Sequence, residues 1–216
     1  MAATVTFYFD PVSPYAWLST AAFERIEAAG AEIIVQPVLF AGLLNAHGQK
    51  GPAEVPAKRA YIFRDVMREA ARLGLQFKGP PGHPFNPLQA LRMCLALTQQ
   101  DQRRKFALAL MKACWEGGED VSQPAVLVRI ADESGLDGAA LQLAAQQPEL
   151  KARLAADTDE AIGREVFGVP TFRVDDELFW GGDRIDALIR HLQGERIDEQ
   201  RLADFLAKPP LAERKR

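Results

Sequence analysis

The chain has 216 residues, 48% of them hydrophobic and 25% charged, with a formal net charge of -3. That length buries a substantial core and suits one domain with an insertion, or two small lobes. The charge gives no electrostatic case for nucleic acid. No run reaches the ~18 apolar residues of a membrane span, and the start lacks the basic segment and apolar run of a secretory signal. A cytoplasmic protein is expected, with no nucleic acid and no membrane among its partners. Cys94 and Cys114 stand outside any Cys-x-x-Cys and inside helical patterns, so they read as buried, reduced, small apolar residues. His47, His83 and His191 are scattered without metal-ligand spacing, and no metal site is expected. Arg214, Lys215 and Arg216 read as a solvated basic tail.

Residues 4–9 (Thr-Val-Thr-Phe-Tyr-Phe) are β-branched and aromatic and predict a strand. Ser13 suits an N-cap and Pro14 the first helical position, where its missing N–H costs nothing. Leu18, Ala22, Phe23 and Ile26 then recur at helical spacing, and Gly30 ends the helix. Residues 33–39 predict a second strand, completing a βαβ unit with parallel strands.

From 56 to 167 helix follows helix, with no convincing strand. Phe63, Val66, Met67 and Ala70 make one apolar stripe, closed by Gly74. Asn86 and Pro87 start a helix carrying Leu88, Leu91 and Leu95. Phe106, Leu110 and Cys114 follow, closed by Gly117, and Pro124 precedes Leu127 and Ile130. Pro148 opens a helix running through Leu154 and Ala161 towards Val166. The stretch 79–84 (Gly-Pro-Pro-Gly-His-Pro) is a stiff loop between two of these helices. Strand signals return at 170–174, a turn follows at Asp175-Asp176-Glu177, and 178–180 pairs back as a hairpin. Gly181, Gly182 and Asp183 cap a last helix from Arg184 to Leu192, ended by Gly194. The order is β-α-β, a helical block, then β-β-α. It predicts an α/β fold in which a thioredoxin-like sheet (1–55 and 166–216) carries an all-helical insertion (56–165).

Three segments carry candidate chemistry. Ser13 combines a hydroxyl donor with the free N–H groups and partial positive charge of a helix start, a setting that lowers a thiol's pKa. Taken singly, it reads first as an N-cap. Val169-Pro170, ahead of a strand, suits a cis-proline loop that offers the Val169 backbone for strand-like pairing; an ordinary trans proline is the alternative. Trp180-Gly181-Gly182-Asp183-Arg184 places two glycines before a helix, where a ligand can approach the backbone and a carboxylate can be held. A turn merely capped by Asp183 competes with that reading. Gly-x-Ser-x-Gly is absent, so Ser13 does not read as a hydrolase nucleophile.

Taken jointly, these pieces resemble the bacterial 2-hydroxychromene-2-carboxylate isomerases and the related kappa-class glutathione transferases, which are DsbA-like members of the thioredoxin superfamily. The matching stretches are Phe9-Asp10-Pro11-Val12-Ser13-Pro14-Tyr15-Ala16-Trp17-Leu18, Pro52-x-x-x-Pro56-x-Lys58, Phe167-Gly168-Val169-Pro170-Thr171 and Trp180-Gly181-Gly182-Asp183-Arg184. They span nearly the whole chain, in order. The resemblance implies glutathione as cofactor, with Ser13 activating its sulfur and Val169 pairing with its cysteinyl unit. Asp183, with Trp180, Gly181 and Gly182, would bind the γ-glutamyl end, Lys58 would reach the glycine carboxylate, and Arg184 would support the loop. Asn45, Phe85 and Asn86 would border the substrate pocket.

It also implies a homodimer and a small aromatic or conjugated-carbonyl substrate. The implied reaction is isomerisation of 2-hydroxychromene-2-carboxylate to trans-o-hydroxybenzylidenepyruvate, by reversible thiolate addition, bond rotation and expulsion. Conjugation or peroxide reduction, and a non-enzymatic glutathione- or peptide-binding module, are the alternatives. Two departures from the kappa pattern, Gly48-Gln49 for Gly-Asn and Gly182-Asp183-Arg184 for Ser-Asp-Arg, imply either weaker glutathione affinity or the isomerase branch. Ser13 and Ala16 stand where thioredoxins carry their two cysteines, which excludes thiol–disulfide exchange.

Overall fold

The computed structural model describes residues 2–212; the basic tail at 214–216 lies outside the described residues. Strand β1 (Ala3–Phe9) is central. It pairs in parallel with β2 (Ala31–Pro37) and antiparallel with β3 (Thr171–Val174), and β4 (Glu177–Trp180) completes the order β2-β1-β3-β4. A central strand must be apolar on both faces. Val5, Phe7 and Phe9 are fully buried on one side, where the Phe7 ring packs against Phe172 at 4.9 Å and edge-on to Phe23 at 5.1 Å. Tyr8 faces the other side, among Val38, Leu43, Ala161, Val166 and Val169.

The predicted single helix over 14–30 is broken. α1 (Pro14–Ser19) passes through a 3₁₀ turn, Thr20–Ala22, into α2 (Phe23–Ala28). The Ser19 hydroxyl donates to Tyr15 O and that of Thr20 to Trp17 O, each at 2.7 Å, so side chains compete for the carbonyls that would continue the helix. β2 stops at Pro37, before the predicted end, and an unpredicted helix α3 (Phe40–Ala46) follows. No local side chain caps α3. The buried Asp10 does so from the end of β1, its Oδ2 accepting Phe40 N–H at 3.0 Å.

The helical block holds α4 (Pro56–Arg72), α5 (Leu88–Ala96) and α6 (Gln100–Lys112), the last running into a π turn, Ala113–Gly117. α7 (Pro124–Glu133), the unpredicted α8 (Gly138–Ala144) and α9 (Pro148–Gly163) complete it. The apolar stripe of α4 runs through Phe63, Val66 and Ala70 but not Met67, which is 53% exposed. One core spans sheet and block, joining Phe7, Trp17, Phe23, Phe106, Trp115 and Phe172. The buried Arg103 guanidinium closes α5 by holding Cys94 O and Leu97 O. Both cysteines are free and buried, and burial pushes the Cys94 thiol up to about 12. α10 (Ile185–Leu192) follows the hairpin. A further unpredicted helix, α11 (Glu199–Leu206), leaves Phe205 and Leu206 exposed. Among the described residues no helix is long and apolar enough to cross a membrane.

Candidate functional site

The turn from Asp10 to Ser13 delivers the chain from β1 into α1. Ser13 is buried and caps α1. Its Oγ accepts Ala16 N–H at 3.3 Å and donates to Val169 O at 3.4 Å. Both bonds are long, so the hydroxyl gives up little on turning to a better acceptor. Val169-Pro170 is cis, as the sequence predicts. The Val169 carbonyl faces Ser13, and its N–H makes no hydrogen bond among the described residues.

The β4–α10 turn is tied to the same loop, because Gly181 N–H donates to Pro170 O at 2.9 Å. Gly181 has φ +98, a conformation open to glycine at no steric cost. Gly182 backs directly onto α1: a Cβ there would lie 2.8 Å from Ser19 Oγ. Asp183 does not cap the last helix, contrary to the sequence reading. No side chain caps the 3₁₀ turn Gly182–Arg184 or α10. The Asp183 carboxylate instead stands 72% exposed, 3.3 Å from Arg184 Nη2. Trp180 is half-exposed, its indole against Gly168 and edge-on to Phe167. The fold thus brings Ser13, Val169, Trp180, Gly181, Gly182, Asp183 and Arg184 together from three separate segments.

Lys58 lies in the first turn of α4, exposed and without an ion-pair partner among the described residues. α4 packs on α1 through Tyr15 Oη, which donates to Asp65 Oδ2 at 2.8 Å. Burial and Asp65 raise the Tyr15 phenol, so it stays a proton donor. Phe85 is half-buried beside His83. Asn86 spends its Oδ1 on Leu88 N–H at the start of α5. Asn45 is exposed at the end of α3, and no hydrogen bond links it to the Ser13 turn.

Three residues that sequence reasoning passed over hold the turn itself. Asp10 accepts Val12 N–H at 2.9 Å as well as Phe40 N–H, and burial pushes its carboxyl up to about 7 against the pull of those donors. Trp115, in the π turn, donates Nε1–H to Pro11 O at 2.9 Å. His83 Nε2 meets Val12 O at 2.9 Å, and burial lowers its pKa. Asp10-Pro11 carried a turn signal. A histidine between Gly82 and Pro84 carried none that singles it out.

The family model for the DSBA-like thioredoxin domain matches residues 4–193. The chain belongs to the DsbA-like thioredoxin family. A 2-hydroxychromene-2-carboxylate isomerase of Sphingobium xenophagum is 30% identical over 197 residues, covering 89% of this chain and 99% of the relative. Human glutathione S-transferase kappa 1 is 26% identical over 208 residues, covering 89% and 92%. A solved structure of a 2-hydroxychromene-2-carboxylate isomerase superposes with a TM-score of 0.80 at 24% identity, over 95% of this chain and 100% of that one. Within the DsbA-like family the chain therefore stands with enzymes, on the side of these isomerases and kappa transferases.

Proposed function

We propose that this DsbA-like enzyme is a glutathione-dependent isomerase interconverting 2-hydroxychromene-2-carboxylate and trans-o-hydroxybenzylidenepyruvate in the breakdown of naphthalene-type aromatics. The observation that carries the reading is a sulfur-free helix start whose Ser13 hydroxyl faces the Val169 backbone of the cis-proline loop. The relatives' names support it.

The residues fit the tripeptide. Val169 offers an unused N–H beside its carbonyl, Asp183 a carboxylate not spent on capping, and Gly181 and Gly182 a turn with no side chains of their own. When bound, glutathione supplies a thiolate nucleophile that is regenerated each cycle. Ser13 donates its hydroxyl proton towards that sulfur and Val169 aligns the cysteinyl unit. Asp183, with Trp180 alongside and Arg184 as its neighbour, receives the γ-glutamyl ammonium. Lys58 reaches the glycine carboxylate, and Lys58 or a pocket asparagine steadies oxyanion charge on the substrate. Phe85, Asn86 and Asn45 border the substrate side. A cytoplasmic homodimer is part of the same reading, on family likeness.

A kappa-type transferase that consumes glutathione is the second reading, favoured by the similarity to human glutathione S-transferase kappa 1. Calorimetric titration with reduced glutathione, with thiolate absorbance read in parallel, tests both on wild type and Ser13→Ala. Binding with a thiolate band that Ser13→Ala diminishes is expected. No binding at millimolar glutathione refutes both. Turnover of 2-hydroxychromene-2-carboxylate at constant glutathione then separates isomerase from transferase.

A further inference from the structure

Two consecutive carbonyls ahead of Ser13 are held by side chains of the helical block: Pro11 O by Trp115 Nε1 and Val12 O by His83 Nε2, each at 2.9 Å. We propose that His83 is a positioning residue for Ser13, and that through it the helical block sets how well the turn presents the serine hydroxyl to a bound thiol. The proposal rests on the glutathione reading above for its chemical consequence, and on geometry alone for the positioning.

A carbonyl can only accept, so His83 Nε2 carries the hydrogen and Nδ1 does not. Nδ1 is buried and has no partner among the described residues. The ring is boxed by Phe63 at 5.2 Å, Trp115 at 5.6 Å and Phe85 at 6.4 Å. The charged group facing this loop is Arg59 of α4, whose Nη2 reaches His83 O at 3.4 Å. A second proton on the ring would be buried beside that guanidinium with nothing to accept it. The imidazole is therefore held neutral, in one tautomer and one orientation.

The Val12 carbonyl and the Ser13 N–H share one planar peptide unit, so fixing the first fixes the second. Ser13 N–H duly donates to Asp10 O at 3.0 Å, and the opposite edge of the turn is held by Asp10 Oδ1. Without the His83 bond, the peptide plane has no side-chain partner on the carbonyl side among the described residues.

The test compares wild type, His83→Phe and His83→Gln; the glutamine can still offer an N–H to Val12 O. In the unliganded protein, amide exchange at Ser13 and Ala16 is expected to rise about fivefold in His83→Phe, the weight of one neutral hydrogen bond. Exchange at Phe7 in β1 stays unchanged, and His83→Gln restores most of the protection. With glutathione bound, the thiolate titration midpoint rises in His83→Phe and returns in His83→Gln. Ring-nitrogen NMR of wild type reads the Nε2–H tautomer. Unchanged exchange in His83→Phe, equal loss in both variants, or the Nδ1–H tautomer overturns the proposal. A wild type that shows no thiolate sinks the glutathione reading, and the ligand-free exchange and tautomer still decide on His83.

Discussion

Asp10 is fully buried at the joint between β1, α1 and α3, and its carboxyl is raised from 3.8 to about 7 with burial as the leading cause. The proton is then bound more tightly in the folded state than in the unfolded one, so stability must fall as pH rises between those values. At about 1.4 kcal/mol per pH unit, the loss between pH 4 and pH 7 amounts to roughly 4 kcal/mol. Below that window both states are protonated, and above it both are ionised, so the profile is flat at either end. The clean measurement is the difference between wild type and Asp10→Asn in urea unfolding, taken at half-unit steps from pH 4 to pH 8. Asparagine places an amide NH₂ against one of the two backbone donors, at a fixed cost of about 1–3 kcal/mol that does not vary with pH. His83, whose pKa is lowered, works in the opposite sense: its stabilisation is present above its unfolded value of 6.5 and is lost as pH falls below it. That contribution is common to both proteins and cancels in the difference. The expected result is a wild-type advantage that shrinks steadily from pH 4 to pH 7. A difference that is flat, or that grows with pH, would refute the reasoning. It would mean that the Val12 and Phe40 donors hold the carboxylate ionised despite burial.

Gly182→Ala drives a Cβ to 2.8 Å from Ser19 Oγ, which is itself fixed on Tyr15 O. A cost of about 1–3 kcal/mol is expected in thermal unfolding, and Ser19→Ala in the same chain should recover most of it. Arg103→Met leaves Cys94 O and Leu97 O without their buried donor, for a loss of about 2–4 kcal/mol in denaturant unfolding. Deleting the chain from Glu195 onward removes α11, whose residues are all exposed, and should change unfolding stability by less than about 1 kcal/mol.

The parts of the fold that could be read in the sequence are those whose signals are local. Ser13-Pro14 writes its own cap and first turn, Val169-Pro170 announces a restricted bond, and the Asp175-Asp176 turn between two β-rich runs announces a hairpin. α8 and α11 also carried local starts, since Asp137 and Asp198 accept from Ala140 and Arg201 N–H; Gly138 and the charged run before Glu199 masked them. α3 carried none. Its cap comes from Asp10, brought 30 residues back along the chain by the pairing of β1 with β2. The candidate site divides in the same way. Its glycines, serine and proline stand out because backbone chemistry demands those residue types. Trp115 and His83 look like ordinary core and loop residues until tertiary packing sets their N–H groups against Pro11 and Val12. Asp183 was misread because an acid before a helix is usually a cap, and here the turn does without one.

The hydroxyl of Ser13 and the carbonyl of Val169 stand 156 positions apart in the chain. At the ribosome's pace of 5–20 residues per second, roughly 8–30 s separate the appearance of one from the other. From the completion of β2 at Pro37 until β3 is made, β1 has β2 to pair with but lacks β3, so one edge of what becomes the central strand is open. The helical block is synthesised in the gap, and its Phe106 and Trp115 share one core with Phe7 and Trp17. The Ser13–Val169 contact therefore cannot form until the whole helical block between them has been made.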